Sequence, residues 1–477
     1  MIAPGGGAGS RVALLILLAW AQTFSVTTVA YGANRTEIQQ GRYLAITGDC
    51  AACHTAPGGK TFAGGLPIAT PIGTVISTNI TPSRTAGIGG YTLRQFSDAL
   101  RKGIRRDGKH LYPAMPYVEY ALLTNDDVRA LYAYFMNGVP PIDSTPPRTR
   151  LPFPFDIRLL MAPWNWLYLD SKPYTSDPNH SAEWNRGAYL VRGLAHCGEC
   201  HTPRNLLMAE RQSRALAGAT IDTWMAPNIT SDTRSGIGNW TTAQIVDYLR
   251  RGVASGKAQA AGPMVTAIDL SLRHLKATDL SAIARYLKTV LPRHDAADTR
   301  AVDSWGSAYA DLASIRGRPL PTDPGRMTGP QLYDAYCATC HEDRGQGSFD
   351  GSLPPLYRNT ATGRANTHDL VMVVLDGIQW NTDGSGTRMP GFASELSDRQ
   401  IATLGTYLTQ HFGNPSAAVT ATEVATLRAG VAAPSHLVLL ARVLVAVILG
   451  ILALIIAAII RALLRRSRTA PTPPATH

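Results

Sequence analysis

Cys50-Ala-Ala-Cys53-His54, Cys197-Gly-Glu-Cys200-His201 and Cys337-Ala-Thr-Cys340-His341 are three copies of one five-residue pattern. Together they use all six cysteines of the 477-residue chain. C-x-x-C-H is the c-type haem attachment pattern, and its spacing has a physical cause. Two thiols three residues apart on one helical turn reach the two vinyl groups along one porphyrin edge. The histidine that follows presents its imidazole to the iron from the same turn. We therefore expect three covalently bound haem c groups. Cys50, Cys53, Cys197, Cys200, Cys337 and Cys340 would form the thioethers, and His54, His201 and His341 would ligate iron. Structural zinc needs four ligands, and none of these pairs has a partner pair nearby. A thioredoxin-like C-x-x-C does not require His after the second Cys in every copy. Three disulfides would have to close between cysteines only three residues apart.

Self-similarity extends outward from the motifs. Asn79-Ile80-Thr81-Pro82 with Gly87-Ile88-Gly89 recurs as Asn228-Ile229-Thr230-Ser231 with Gly236-Ile237-Gly238. The helix-like stretch Thr92 to Gly103 echoes Thr241 to Gly252, each with a basic residue before the closing glycine. Ahead of the motifs, Gly41-Arg-Tyr43-Leu44 matches Gly187-Ala-Tyr189-Leu190, with Gly329-Pro-Gln-Leu332-Tyr333 as a looser third copy. Such repetition predicts tandem domains of one type. Each unit should close on an amphipathic helix: Asn125 to Met136, Thr278 to Leu287 and Ser397 to Gln410 open with capping residues and carry apolar residues at helical spacing. Strand-like alternation is scarce, which predicts an all-α fold. Prolines mark the connectors: residues 140–178 hold nine, a second linker contains Pro319, Pro321 and Pro324, and a third spans 413–436. Trp164, Trp166 and Tyr168 suggest that the first connector packs across domains.

The second axial ligand decides the chemistry. An open iron binds peroxide or oxygen, whereas methionine on the far face gives an electron carrier with a raised potential. Three of the ten methionines sit among Gly and Pro before the closing helix: Tyr112-Pro113-Ala114-Met115-Pro116, Gly262-Pro263-Met264 and Arg388-Met389-Pro390-Gly391. They follow His54, His201 and His341 by 61, 63 and 48 residues, and we expect all three to lie in non-helical loops. Met225 aligns with Ile76 in the other repeat, so it is not expected to ligate; Met372, in the apolar stretch Leu370 to Leu375, is expected in the core. His110 and His196 are the other histidines near the motifs; His110 is the alternative ligand near Met115, although a solvated or hydrogen-bonding role is expected of it.

The chain ends read as targeting and anchoring segments. Arg11, the apolar run Val12 to Trp20 and the small residues Ala30, Gly32 and Ala33 follow the order of a secretory signal over residues 1–33, with a retained membrane helix as the alternative. Near the other end, Val443 to Ile460 is an uninterrupted apolar run of 18 residues, roughly 27 Å of helix. Arg461, Arg465, Arg466 and Arg468 follow it, which places that end in the cytoplasm and the rest outside the inner membrane. Arg442 lies near the outer end of the span, within reach of the interface.

The net charge of +11 is concentrated in these ends: residues 34–436 hold 39 bases against 34 acids. Six haem propionates would bring that region near neutral, so nucleic-acid binding is not expected. The chain has no dinucleotide-binding G-x-G-x-x-G unit, no G-x-S-x-G and no H-E-x-x-H. Its expected role is to move electrons rather than transform a substrate.

Leu111-Tyr-Pro-Ala-Met-Pro-Tyr117 leading into Leu123-Thr-Asn-Asp-Asp-Val-Arg-Ala-Leu-Tyr-Ala-Tyr-Phe135, within three C-x-x-C-H repeats, resembles the tri-haem cytochrome c subunit of bacterial membrane-bound dehydrogenases over roughly residues 35–412. The resemblance implies an all-α chain of three tandem class I-like cytochrome c domains (34–139, 180–291 and 325–412) joined by linkers 140–179, 292–324 and 413–436. A transmembrane helix at 437–460 and a cytoplasmic tail at 461–477 would follow. It also implies Met115, Met264 and Met389 as the sixth ligands. The expected partners are a large flavin, pyrroloquinoline quinone or molybdopterin catalytic subunit, a small subunit, ubiquinone and the inner membrane, with the haem domains facing the periplasm. Two other roles compete: a cytochrome feeding a terminal oxidase, and a multihaem peroxidase-like enzyme.

Overall fold

The glycines of the repeated Gly-x-Tyr-Leu segments explain why the first and last helices of each repeat cross. In the computed structural model, which describes residues 34–349, 353–380, 389–430 and 435–468, the first repeat opens with α1 (Arg35–Thr47). A short turn, α2 (Cys50–His54), and the hairpin β1 (Pro67–Thr70) and β2 (Gly73–Ile76) follow. Next come α3 (Leu93–Lys102), α4 (Tyr117–Tyr120) and α5 (Asn125–Asn137). A Cβ on Gly41 would lie 1.9 Å from the Ala130 carbonyl oxygen of α5, so only glycine permits this crossing.

The connector carries α6 (Met161–Tyr168). The second repeat then repeats the plan with α7 (Ala182–Tyr189), α8 (Gly198–His201), the hairpin β3 (Ala219–Ile221) and β4 (Trp224–Ala226), and α9 (Thr242–Arg251). The small hairpin β5 (Val253–Ala254) and β6 (Ala258–Gln259) precedes α10 (Pro263–Leu270) and α11 (Ala277–Leu287). Gly187 approaches the Ala282 carbonyl of α11 just as Gly41 approaches Ala130, at 2.0 Å. Both α3 and α9 start with a capping box, Thr92 with Gln95 and Thr241 with Gln244, and both stop at a left-handed glycine, Gly103 and Gly252. The three hairpins are the strand content of the described residues, so the chain is substantially helical with little sheet.

The third repeat holds α12 (Gly329–Tyr336), α13 (Ala338–His341), α14 (Thr360–Gly363), α15 (His368–Asp376) and α16 (Asp398–Phe412). Beyond it lie α17 (Ala421–Ala429) and α18 (Ser435–Arg468). Leu437–Arg465 of α18 is long and apolar enough to cross a membrane, with none of its most apolar window buried. The signal-like segment 1–33 and the tail beyond Arg468 lie outside the described residues.

Three details differ from the sequence expectation. The helix expected to begin at Thr278 starts at Ala277 with Lys276 in the cap position and no side-chain cap bond. Residues 413–430 are not a free linker: Val424 of α17 is fully buried in the third core, and Arg428 bonds Asp398 at 2.7 Å and the Leu396 carbonyl at 2.8 Å. The 292–324 segment is likewise packed. Asp303 accepts from Trp240 and Asn239 of the second repeat, and Val302 is buried.

The first two repeats share one hydrophobic core, which Ile378 and Trp380 of the third also enter, while the third has its own around Tyr333, Leu404 and Phe412. Tyr43 donates to Asp279, third residue of α11, at 2.6 Å. Tyr189, its counterpart in the second repeat, donates to Asp127, third residue of α5. This exchange of equivalent contacts is the reciprocity of a local two-fold axis relating the two repeats.

Candidate haem-attachment sites

Each C-x-x-C-H sits on a single short turn. His54 and His201 close α2 and α8, and His341 closes α13, all partly buried. The second ring atom of each histidine is engaged in the same way. Nδ1 of His54 bonds the Thr78 carbonyl at 2.7 Å, that of His201 the Pro227 carbonyl at 2.7 Å, and that of His341 the Pro354 carbonyl at 3.3 Å. An Nδ1–H donor fixes the tautomer and leaves the Nε2 lone pair for a metal. Burial lowers the pKa of all three imidazoles against the opposing effect of those carbonyls, keeping the rings neutral.

The acceptors Thr78 and Pro227 immediately precede the repeated Asn-Ile-Thr. That triplet is itself clamped: Asn79 Oδ1 accepts from the Thr81 N–H and hydroxyl, and Asn79 Nδ2 donates to the carbonyls of Ile142 and Ser144 at 2.7 and 2.9 Å. Asn228 accepts from Thr230 in the same manner and donates to the Arg293 carbonyl. The repeated triplet therefore ties the histidine's acceptor to the chain that leaves each closing helix. The sequence marked the triplet as a repeat, but its link to the imidazole appears only in the fold.

All six cysteines are unpaired. Burial pushes the thiols of Cys50, Cys197 and Cys337 up to about 12 and those of Cys53 and Cys200 to about 11. The donor set thus fits haem c: two unpaired thiols with an adjacent imidazole on one turn, three times.

The methionines are placed unequally. Met115 lies in the loop before α4, its N–H bonded to the Tyr112 carbonyl. Met264 is not in a loop: Pro263 starts α10 and Met264 stands in its first turn, because proline's fixed φ suits the first helical position. Met389 pairs with Ile378 in an isolated antiparallel bridge, at 2.9 and 3.0 Å. Met115 and Cys50, and Met264 and Cys197, pack against the same core. Met389 also packs against that core, whereas Cys337 belongs to the third. Met372 is buried in α15, as expected of a core residue, and Met225 lies on β4 opposite Thr220, with its N–H bonded to Asp369 of α15 at 2.9 Å.

The first two motifs face one another. Tyr120 donates to the Gly48 carbonyl just before Cys50, and its ring meets His196, just before Cys197, edge-on at 5.6 Å. Glu119 is buried beside this contact. Burial first, then the charges of Glu199 and Glu210, raise its carboxyl well above the ordinary range.

These are the features of a c-type cytochrome. Residues 325–408 match the family described as cytochrome c oxidase, cbb3-type, subunit III. Over 408 residues the chain is 48% identical to the fructose dehydrogenase cytochrome subunit of Gluconobacter japonicus, covering 83% of this chain and 84% of the relative. It is 38% identical to the gluconate 2-dehydrogenase cytochrome c subunit of Pantoea cypripedii, covering 85% and 92% respectively. For the cytochrome c subunit of the quinone alcohol dehydrogenase of Gluconacetobacter polyoxogenes the figures are 38%, 83% and 85%. The chain belongs to the family of cytochrome c subunits of bacterial membrane-bound dehydrogenases, and it is an electron-transfer rather than a catalytic subunit.

Proposed function

We propose that the chain is a tri-haem subunit passing electrons from a periplasmic catalytic dehydrogenase subunit to ubiquinone, held at the inner membrane by α18 with its haem domains in the periplasm. Its three tandem class I-like domains, 34–139, 180–291 and 325–412, each hold one haem c. The thioether anchors are Cys50 and Cys53, Cys197 and Cys200, and Cys337 and Cys340. The axial pairs are His54 with Met115, His201 with Met264, and His341 with Met389. Bound haem supplies a one-electron couple, which methionine ligation raises in potential. The chain's own residues orient the imidazoles through Thr78, Pro227 and Pro354 and shield the sites from water.

The observation that carries this reading is the threefold repetition of one arrangement: a pair of unpaired thiols beside an imidazole whose Nδ1 is held by a backbone carbonyl. The catalytic partner is a flavin, pyrroloquinoline quinone or molybdopterin subunit oxidising an alcohol, aldehyde, sugar or sugar acid; identity to the fructose dehydrogenase relative favours a sugar. The cbb3-type match supports the competing role in a terminal oxidase, but it covers only the third repeat, whereas the dehydrogenase relatives span over four-fifths of the chain.

Two measurements test the proposal. Haem content of the purified chain by pyridine haemochrome, against protein determined by amino-acid analysis, is expected at three per chain; two or fewer overturns the site assignment. Gentle solubilisation of native membranes should recover a dehydrogenase subunit and donor-dependent ubiquinone reduction. Recovery of a haem–copper oxidase subunit instead overturns the role and leaves the haem count standing.

A further inference from the structure

The first connector carries a helix turned inside out. On its inner side, Asn165 accepts from the Tyr117 hydroxyl at 2.8 Å and donates to the Lys102 carbonyl. Trp164 bonds the Leu207 carbonyl at 2.8 Å, and its ring meets that of Tyr168 at a tilt of 51°, centroids 5.2 Å apart. Upstream, the Arg158 guanidinium lies 4.4 Å over the Tyr112 ring and donates to the His110 carbonyl, while Tyr112 donates to the Phe155 carbonyl. The segment is therefore fixed at several points to both flanking repeats. Its outer side nevertheless presents Phe153, Leu159, Leu160, Trp166 and Leu167 to the surroundings, with Leu206 from the adjoining loop. Leu159, Trp166 and Leu206 are 72%, 83% and 94% exposed. A water-facing helix does the reverse, and a contiguous apolar face of this kind marks a surface made to be covered.

What covers it is indicated by α18. Nε of Arg442 donates to the Phe153 carbonyl at 3.1 Å, so Phe153 of the connector sits beside the residue just ahead of the anchor's 18-residue apolar run. On the first turns of α18, Leu437, Ala441 and Val445 share one partly covered face, whereas Leu439, Leu440 and Val443 are exposed. Arg148 and Arg150, just upstream of Phe153, are exposed bases. A tryptophan and leucines beside exposed arginines, at the level where a transmembrane helix leaves the hydrocarbon, have the composition of a segment lying in the headgroup region.

We propose that the outer face of the connector, α6 together with the Leu206 loop, is seated in the bilayer surface beside the anchor. The chain then meets the membrane at two places, which fixes the tilt of the first two repeats against the bilayer. This rests on the reading of α18 as the membrane anchor.

The test uses the full haem-loaded chain in nanodiscs. Its native cysteines are consumed as thioethers, so single nitroxide labels are introduced by Trp166→Cys, Leu206→Cys and, within the anchor, Leu452→Cys. Collision with oxygen, which partitions into lipid, is compared with collision with a water-soluble nickel chelate. Labels at 166 and 206 are expected to meet oxygen several-fold more often than nickel, relative to a free aqueous nitroxide. An aqueous pattern at both, with position 452 immersed, overturns the proposal and spares the anchor; an aqueous pattern at 452 overturns the anchor itself. If 166 and 206 are open to both reagents in the isolated subunit and closed to both once the catalytic subunit is bound, the face is a protein interface and the proposal fails.

Discussion

At the scale of single residues, the arrangement around each histidine separates what spacing dictates from what contact dictates. The two cysteines and the histidine share one helical turn, so sequence order alone places them together. The carbonyls that orient the rings lie 24, 26 and 13 residues away, and only folding brings them to Nδ1. Met264 carries a test at this scale. Met264→Ala should remove about a third of the Met–iron charge-transfer absorbance and lower one of three reduction steps. An unchanged spectrum and potential would exclude Met264 as a ligand. Its placement in the first turn of α10 was misread from sequence because Pro263 punctuates a loop and starts a helix equally well.

Helix ends and helix crossings are where the elements of this chain were most legible. Capping boxes at Thr92 and Thr241 and the terminating glycines Gly103 and Gly252 bound α3 and α9 as their sequences indicate, since capping is a local interaction. The closing helix α11 was harder to bound, because Lys276 contributes no side-chain cap and its N–H is met instead by the distant Tyr43 hydroxyl, at 3.2 Å. Crossing points appear in sequence only as repeated glycines whose reason lies elsewhere in the chain. Gly187→Ala sets a methyl 2.0 Å from the Ala282 carbonyl and must force α7 from α11. The expected cost is about 2 kcal/mol or more, read as a lower midpoint in thermal or denaturant unfolding. A variant as stable as the parent would show that the two helices separate freely.

For the molecule as a whole, the coupling of the first two repeats should be pH-dependent. Burial alone would raise the Asp279 carboxyl, but hydrogen bonds from Arg186 and Tyr43 outweigh it and hold the pKa below the usual carboxylate range. The folded state therefore binds this proton less readily than the unfolded chain. The stabilisation is fully present above the unfolded pKa, about 4, and is lost as pH falls through the folded value. Asp279→Asn should cost about 2 kcal/mol at neutral pH, allowing for the partial exposure of Arg186. It should also flatten the acid limb of the stability curve; an acid limb as steep as the parent's would place the linkage elsewhere. By itself the sequence determined the C-x-x-C-H turns, the repetition, the main helices and the apolar C-terminal span, because each depends on residues close together in the chain. The tertiary structure decided that the proline-rich linkers are packed, that two repeats share one core through an exchange of Tyr–Asp pairs, and that the connector turns an apolar face outward beside Arg442. Those features join residues far apart in the chain, and no local pattern of polarity or spacing encodes which distant groups will meet.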